Sequence, residues 1–170
     1  MKNLSQYLVE FDNPQIYCDM DGVVADFVAF TTGILGTKFK DQYYPDIPDD
    51  TFAQLPKMPD ADILWGYIKQ FHPIMLTAAP REARGAIAKR APQDKIRWMK
   101  KNFGVSARDM RVVMRQNKKN FAKDGRDKRP NVLIDDHAGN IKEWESAGGI
   151  GIVHTDAAST INDLKRIGFP

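Results

Sequence analysis

Five short apolar runs punctuate the chain, near residues 15–19, 72–77, 111–114, 131–135 and 150–154. Continuous apolar runs of this length predict strands buried on both faces. Between them, apolar residues recur at helical spacing near 23–35, 62–70, 93–103, 138–147 and 157–167. Strands alternating with helices predict an α/β fold, an open parallel sheet with helices on both faces. Pro92 is placed to open the helix carrying Ile96, Met99, Lys100 and Phe103, and Gly104 to close it. Gly148-Gly149 ends the helix carrying Ile141 and Trp144. Asp156 or Ser159 caps the last helix, whose apolar face includes Ile161, Leu164 and Ile167.

One stretch breaks this rhythm. Residues 37–61 hold Pro45, Pro48, Pro56 and Pro59 together with Tyr43, Tyr44 and Phe52. The expected organisation is a core of residues 1–36 and 62–170 with a small cap insertion, 37–61, after the first strand. Such an insertion overhangs the sheet edge, either as a lid or as a surface loop with its own aromatic cluster.

A length of 170 residues suits one domain with such an insertion, and 42% hydrophobic with 28% charged residues is ordinary for a soluble globular protein. The single cysteine, Cys18, allows no disulfide within the chain and reads as a small core residue in a reducing compartment. No apolar stretch is long enough to span a membrane, and Met1–Gln6 lacks an apolar signal core, so a cytoplasmic location is expected. Charge is unevenly laid out. Residues 1–80 hold 5 basic and 11 acidic residues, residues 81–130 hold 17 and 5, and residues 131–170 hold 3 and 6. The basic middle suits an anionic ligand, nucleic acid among the candidates, or is simply a solvated helix face.

The candidate chemistry sits where apolar runs end. The first run leads into Asp19-Met20-Asp21-Gly22, the second into Thr77-Ala78-Ala79-Pro80, and the fourth into Asp135-Asp136. Carboxylates two residues apart at a strand end share one side of it. Strand ends of an open α/β sheet converge on the edge where its ligands bind. One site would then hold several carboxylates, a hydroxyl and a lysine, a set suited to phosphoryl transfer with magnesium. Asp19 is the candidate nucleophile. Asp21 is the candidate general acid and base, with a backbone carbonyl that could reach the metal. Asp136 is the candidate third metal ligand, with Asp135 behind it and paired with the lysine, although strand alternation leaves open which of the two touches the metal. Taken singly, each signal has a plainer reading: Asp-Asp as a turn or cap, Thr77 as a local hydrogen bond, and Asp-x-Asp-Gly as a calcium loop whose remaining ligands are missing.

This ordered set resembles the haloacid dehalogenase (HAD) superfamily of phosphatases, whose Asp-x-Asp-Gly matches Asp19–Gly22, whose Thr/Ser matches Thr77 and whose acidic pair matches Asp135-Asp136. Within it the chain is most similar to the 5′(3′)-deoxyribonucleotidase family, including its small phage and bacterial members. The stretch Asp19 to Phe27, the helix pattern Lys95, Trp98, Phe103, Gly104, and Leu133–Asp136 followed by Ile141, Trp144 and Gly148-Gly149 carry that likeness. The resemblance implies a Rossmann-like HAD fold, Mg2+ as cofactor, and a host or bacterial cytosol as setting. It places the superfamily's lysine at Lys118 by spacing, with Lys119 next and Lys123 third. It also implies Phe27 and insertion aromatics against a nucleobase, with Tyr43, Tyr44, Phe52 and Trp65 as candidates. Arg81 and Arg84 would reach phosphate or sugar. Where the family often has Thr-Ser-Pro, this chain has Ala78 in place of the serine, so backbone N–H groups would grip the phosphate there. His137 replaces an arginine that commonly follows the acidic pair.

The reading that follows is a magnesium-dependent phosphatase of deoxynucleoside monophosphates, working through an aspartyl-phosphate as a monomer or homodimer without a membrane partner. Two alternatives stand beside it. One is a 3′-phosphatase of nucleic-acid ends, or of another small phosphate ester. The other is a phosphatase fold kept as a non-catalytic binding module.

Overall fold

Alternation along the strands divides the core in two. In the computed structural model, which describes residues 14–125 and 127–170, Ile16 and Cys18 of β1 (Ile16–Cys18) face one side of the sheet and Tyr17 the other. The same alternation separates Met75 from Leu76 in β2 (Ile74–Ala78), and Val132 and Ile134 from Leu133 in β4 (Val132–Asp135). With β3 (Met110–Val113) and β5 (Ile150–Val153) they form one sheet of order β3-β2-β1-β4-β5, every neighbouring pair parallel. Sequence position 1–13, including the stretch read above for a signal, lies outside the described residues.

The larger core lies under α1 (Phe27–Leu35), α3 (Ala61–Ile68), α4 (Ala86–Phe103) and α6 (Ala157–Arg166), which contribute Leu64, Ile68, Ile87, Trp98, Met99 and Leu164. The smaller core, with Tyr17, Leu133, Ile141 and Trp144, is closed by α5 (Ala138–Ser146) and the 3-10 segment Arg115–Phe121. The five expected strands and five expected helices are all present, and the fold is α/β with a parallel sheet covered on both faces. Among the described residues, no helix is long and apolar enough to cross a membrane.

Helix ends follow capping chemistry. Asp26 accepts from Ala29 N at 2.9 Å at the start of α1, and Asp156 from Ser159 N at 2.8 Å at the start of α6. Pro92 does not open α4. The helix begins two turns earlier, after Gly85, because Ile87 and Ala91 extend its buried stripe upstream, and Pro92 is carried inside it. The lost Pro92 hydrogen bond is outweighed by that burial.

Residues 37–61 leave and return at one place. Asp26 N donates to Pro56 O at 2.8 Å and Met58 N to Val24 O at 2.9 Å, while Ala25 and Lys57 form a bridge. The excursion contains a 3-10 segment, Asp41–Asp46, and one short helix, α2 (Thr51–Gln54). Phe39, Tyr44 and Phe52 join Phe27 in an aromatic cluster, and Ile47, Phe52 and Leu55 belong to the larger core. Trp98 Nε1 donates to Leu55 O at 2.7 Å, fixing the excursion to α4.

Candidate active site

β1, β2 and β4 are adjacent and parallel, so their C-terminal ends deliver Asp19, Thr77 and Asp135-Asp136 to one edge. Asp19 follows β1 directly, its N–H still bonded to Ile134 O at 2.8 Å. Its side chain is almost buried: Oδ1 accepts from Met20 N at 2.8 Å, and Oδ2 lies 2.9 Å from Lys118 Nζ. Burial pushes the Asp19 carboxyl up, the Lys118 ammonium opposes this, and the nearby Asp135 carboxylate adds to it. Lys118 is itself buried. Burial alone disfavours its charge, but the Asp19 and Asp135 carboxylates outweigh that and raise its pKa, so it stays an ammonium.

Asp135 is fully enclosed and has no oxygen to spare. Oδ2 accepts from Lys118 Nζ at 2.7 Å and from Asn140 Nδ2 at 3.0 Å, and Oδ1 from His137 N at 2.8 Å. Asp136 is exposed and presents its carboxylate to the space shared with Asp19: ligand oxygens of Asp19, Asp135 and Asp136 lie within 4.8 Å of one another. Its pKa is pushed up to about 7, first by partial burial and then by the Asp19 and Asp135 carboxylates. Gly22 makes room for it. A Cβ on Gly22 would stand 2.1 Å from Asp136 Oδ2, and φ is 79°, so both space and backbone require glycine there.

Asp21 is held by a residue that the motifs did not single out for the site. Lys95 of α4 is wholly buried and donates from Nζ to Asp21 Oδ2, to Thr77 Oγ1 at 2.8 Å and to Ala78 O at 2.8 Å. The Phe52 ring lies 4.4 Å from the same ammonium. Burial raises the Asp21 carboxyl above its ordinary range, with Lys95 acting against it and Asp19 with it. The other oxygen, Oδ1, is buried without a partner among the described residues. Thr77 is fully buried, outside the cavity lining, and its hydroxyl serves Lys95. The sequence signal for Lys95 was its place on an apolar stripe, one turn from Ala91 and one from Trp98.

The edge opens into a cavity of about 330 Å³, with Asp19, Asp21, Lys118, Tyr44, Ala78 and Arg81 in its lining. Burial and the Asp21 carboxylate push the Tyr44 hydroxyl up to about 12. Arg115 also lines the cavity, donating to Asn140 Oδ1 at 2.9 Å and to Glu143 Oε1 at 3.1 Å, and so does His137, whose Nδ1 accepts from Asn140 N in the first turn of α5. Arg84 is outside the lining: it pairs with Asp41 and lies 5.5 Å from the Tyr44 ring centre.

Several expected contacts fall elsewhere. Phe27 is absent from the lining because it packs against Phe39 and Phe52. Trp65 lies against Phe103 in a cavity at the opposite sheet edge, since α3 turns that side chain away from the carboxylates. Lys119, next to Lys118 on a 3-10 turn, is exposed and borders a different cleft beside Lys142. Cys18 is buried, and burial together with Asp19 and Asp135 raises its thiol far above the reactive range.

The donor set fits a small divalent cation. Asp19 and Asp136 supply hard oxygens at one place, the Asp19 and Asp135 carboxylates add to the burial that raises Asp136, and the two lysines do not contact Asp136.

No protein-family model and no curated protein matches this chain. Among solved structures, a hydrolase from Streptococcus pneumoniae TIGR4 aligns with a TM-score of 0.42 and 10% identity, covering 90% of this chain and 96% of its own. A Thermotoga maritima protein provisionally assigned as a beta-phosphoglucomutase aligns with a TM-score of 0.42 and 12% identity, covering 91% and 100%. At this level of overlap neither bears on activity, which has to be read from the side chains.

Proposed function

We propose that the chain is a magnesium-dependent phosphoric monoester hydrolase of the HAD superfamily, with deoxynucleoside monophosphates as substrates. The observation that carries the reading is the pairing of two carboxylate–lysine units at one sheet edge: Asp19 with Lys118, and Asp21 with Lys95. A carboxylate oxygen of Asp19, held by Met20 N–H and Lys118, attacks phosphorus as the ester oxygen leaves. Asp21, whose burial favours its protonated form, gives that oxygen its proton. The same carboxylate, now ionised, takes a proton from water as the water oxygen attacks the acyl phosphate, which frees Asp19 and inorganic phosphate. Asp19, Asp136 and the Asp21 carbonyl would hold the cation, which when bound neutralises phosphate and carboxylate charge. Lys118 keeps Asp19 oriented, and Lys95 keeps Asp21 aimed at the leaving oxygen. Arg81 and Arg115, at the cavity wall, suit the phosphate oxygens that the alanine at position 78 leaves without a hydroxyl donor.

Tyr44, Arg81 and Arg115 in the cavity lining support a nucleotide as the ester, an aromatic ring for the base beside cations for the phosphate. The purified chain is expected to release phosphate from deoxynucleoside monophosphates with magnesium, and Asp19→Asn to abolish release. Phosphate release undiminished by Asp19→Asn would rule out this nucleophile.

One observation favours a second substrate. The outer side of α4 exposes Lys89, Arg90, Arg97, Lys100 and Lys101, and the helix's only acid, Asp94, is buried beneath Arg90 and Arg97. A nucleic-acid strand with a 3′-terminal phosphate matches that charge. Activity on 3′-phosphorylated oligonucleotides that exceeds activity on mononucleotides, and that falls steeply with salt, would select it.

A further inference from the structure

A second cavity, of about 500 Å³, lies at the opposite edge of the sheet. Its walls come from the segments entering β2 and β3, whereas the carboxylate site is built from the segments leaving them. Trp65 and Phe103 form an aromatic wall, their centroids 5.3 Å apart at 47°. Lys69, His72, Ser106 and Arg108 stand around it.

The wall and rim are rich in unused donors. Trp98 and Trp144 are buried and give their indole N–H groups to Leu55 O and Asn131 O. Trp65 is only half-buried, and its N–H has no acceptor among the described residues. Nor do the Lys69 ammonium, the His72 ring or the Ser106 hydroxyl make a side-chain hydrogen bond or ion pair there. Among the described residues, Arg108 pairs only with Asp109, at 3.6 Å and largely in solvent, and Asp109 is the sole carboxylate in the lining. An indole face beside two full cations suits a ligand that is both aromatic and anionic. Apolar ligands leave the cations unused, and simple anions leave the indole unused.

We propose that this cavity is a second binding site, separate from the carboxylate centre, for a nucleoside phosphate: the base lies against Trp65 and the phosphates meet Lys69 and Arg108. The proposal goes beyond the hydrolase reading and holds whether or not Asp19 is a nucleophile. Its Trp65 face also supplies the readout, since the other two indoles are sealed from solvent.

The test uses the full chain carrying Asp19→Asn, so that turnover does not interfere, titrated with adenosine 5′-diphosphate while indole fluorescence and binding heat are recorded. Saturable quenching is expected, with the fluorescence response lost in Trp65→Phe. The double variant Lys69→Ala/Arg108→Ala should bind at least about tenfold more weakly, as expected for losing two charge-assisted contacts. Adenosine alone and inorganic phosphate alone should each bind more weakly than the nucleotide. Orthovanadate, directed at the carboxylate centre, should not displace the nucleotide. Trp65, Lys69 and Arg108 are exposed or half-buried, Asp19→Asn keeps the shape of the side chain it replaces, and circular dichroism checks that each variant is folded. Absence of quenching at millimolar nucleotide, displacement by vanadate, or undiminished binding by the double variant would each overturn the proposal.

Discussion

Lys95 occupies an apolar-stripe position of α4 between Ala91 and Trp98, yet its ammonium joins Asp21, Thr77 and Ala78 O. Truncation to alanine leaves a half-buried carboxylate and a buried hydroxyl unpaired. Lys95→Ala should therefore cost about 3 kcal/mol in denaturant unfolding. It should also lower kcat by about 10²–10⁴, the range for losing a positioned general acid. Lys95→Met keeps the volume but leaves Asp21 and Thr77 just as unpaired, so it should recover only the packing part of the stability and none of the rate. A Lys95→Met protein with near-normal kcat would separate Lys95 from Asp21 function. Gly22 gives the second residue-scale prediction. Gly22→Ala forces a Cβ against Asp136 and a φ of 79° on an L side chain. A loss of about 1–3 kcal/mol is expected from the backbone conformation, together with weaker magnesium binding in calorimetry. Asp19 and Asp21 were legible in the sequence because strand ends have a fixed direction. Lys95 was not legible as a site residue, because helical position tells which face is buried but not which polar partner waits there.

At the level of elements, sequence spacing located the strands and helices but not how closely they approach. Gly148-Gly149 read as a helix stop, and Gly148 does turn with φ 91°. Gly151, inside β5, carried no such signal. A Cβ there would stand 2.4 Å from Ile141 Cγ2, so α5 packs directly on the β5 backbone. Gly151→Ala should destabilise by about 1–3 kcal/mol through overpacking, read as a lower denaturant midpoint with an unchanged slope. The junction of β5 and α6 holds His154, buried with Nδ1 2.8 Å from Thr160 Oγ1 and Nε2 unpartnered. Burial lowers its pKa below 6.5, while Asp60 and Asp156 pull the other way. The unfolded chain then binds the extra proton, so stability is full above about pH 6.5 and falls as pH drops beneath it. His154→Gln should flatten that acid limb in thermal melts between pH 7 and 5. An unchanged slope would assign the limb to other groups.

For the molecule as a whole, the candidate centre exists only when β1 and β4 lie side by side, since Asp19 and Asp136 are distant in the chain and adjacent in space. That is why the order of acidic strand ends foretold a common edge, while the rim did not follow from order: Tyr44, Arg81 and Arg115 reach it, and Phe27 and Trp65 do not. A cation that binds this gathered set binds the folded chain alone and must raise its melting temperature. At a hundredfold excess over its Kd the gain is about 2.7 kcal/mol, or about 5–10 °C for a chain of this size. The size of that gain should depend on pH in a definite direction. Without metal, Asp136 holds its proton up to about pH 7 in the folded chain, against 3.8 for an ordinary aspartate. Its contribution to metal-free stability is therefore present in acid and lost as pH rises towards 7. Magnesium must displace the same proton, so the metal-induced shift should be larger at pH 8 than at pH 6. In Asp136→Asn the metal-free protein should lose that decline, and the shift should become small and insensitive to pH. Equal shifts at both pH values in the unsubstituted chain, or a full shift in Asp136→Asn, would place the cation away from Asp136.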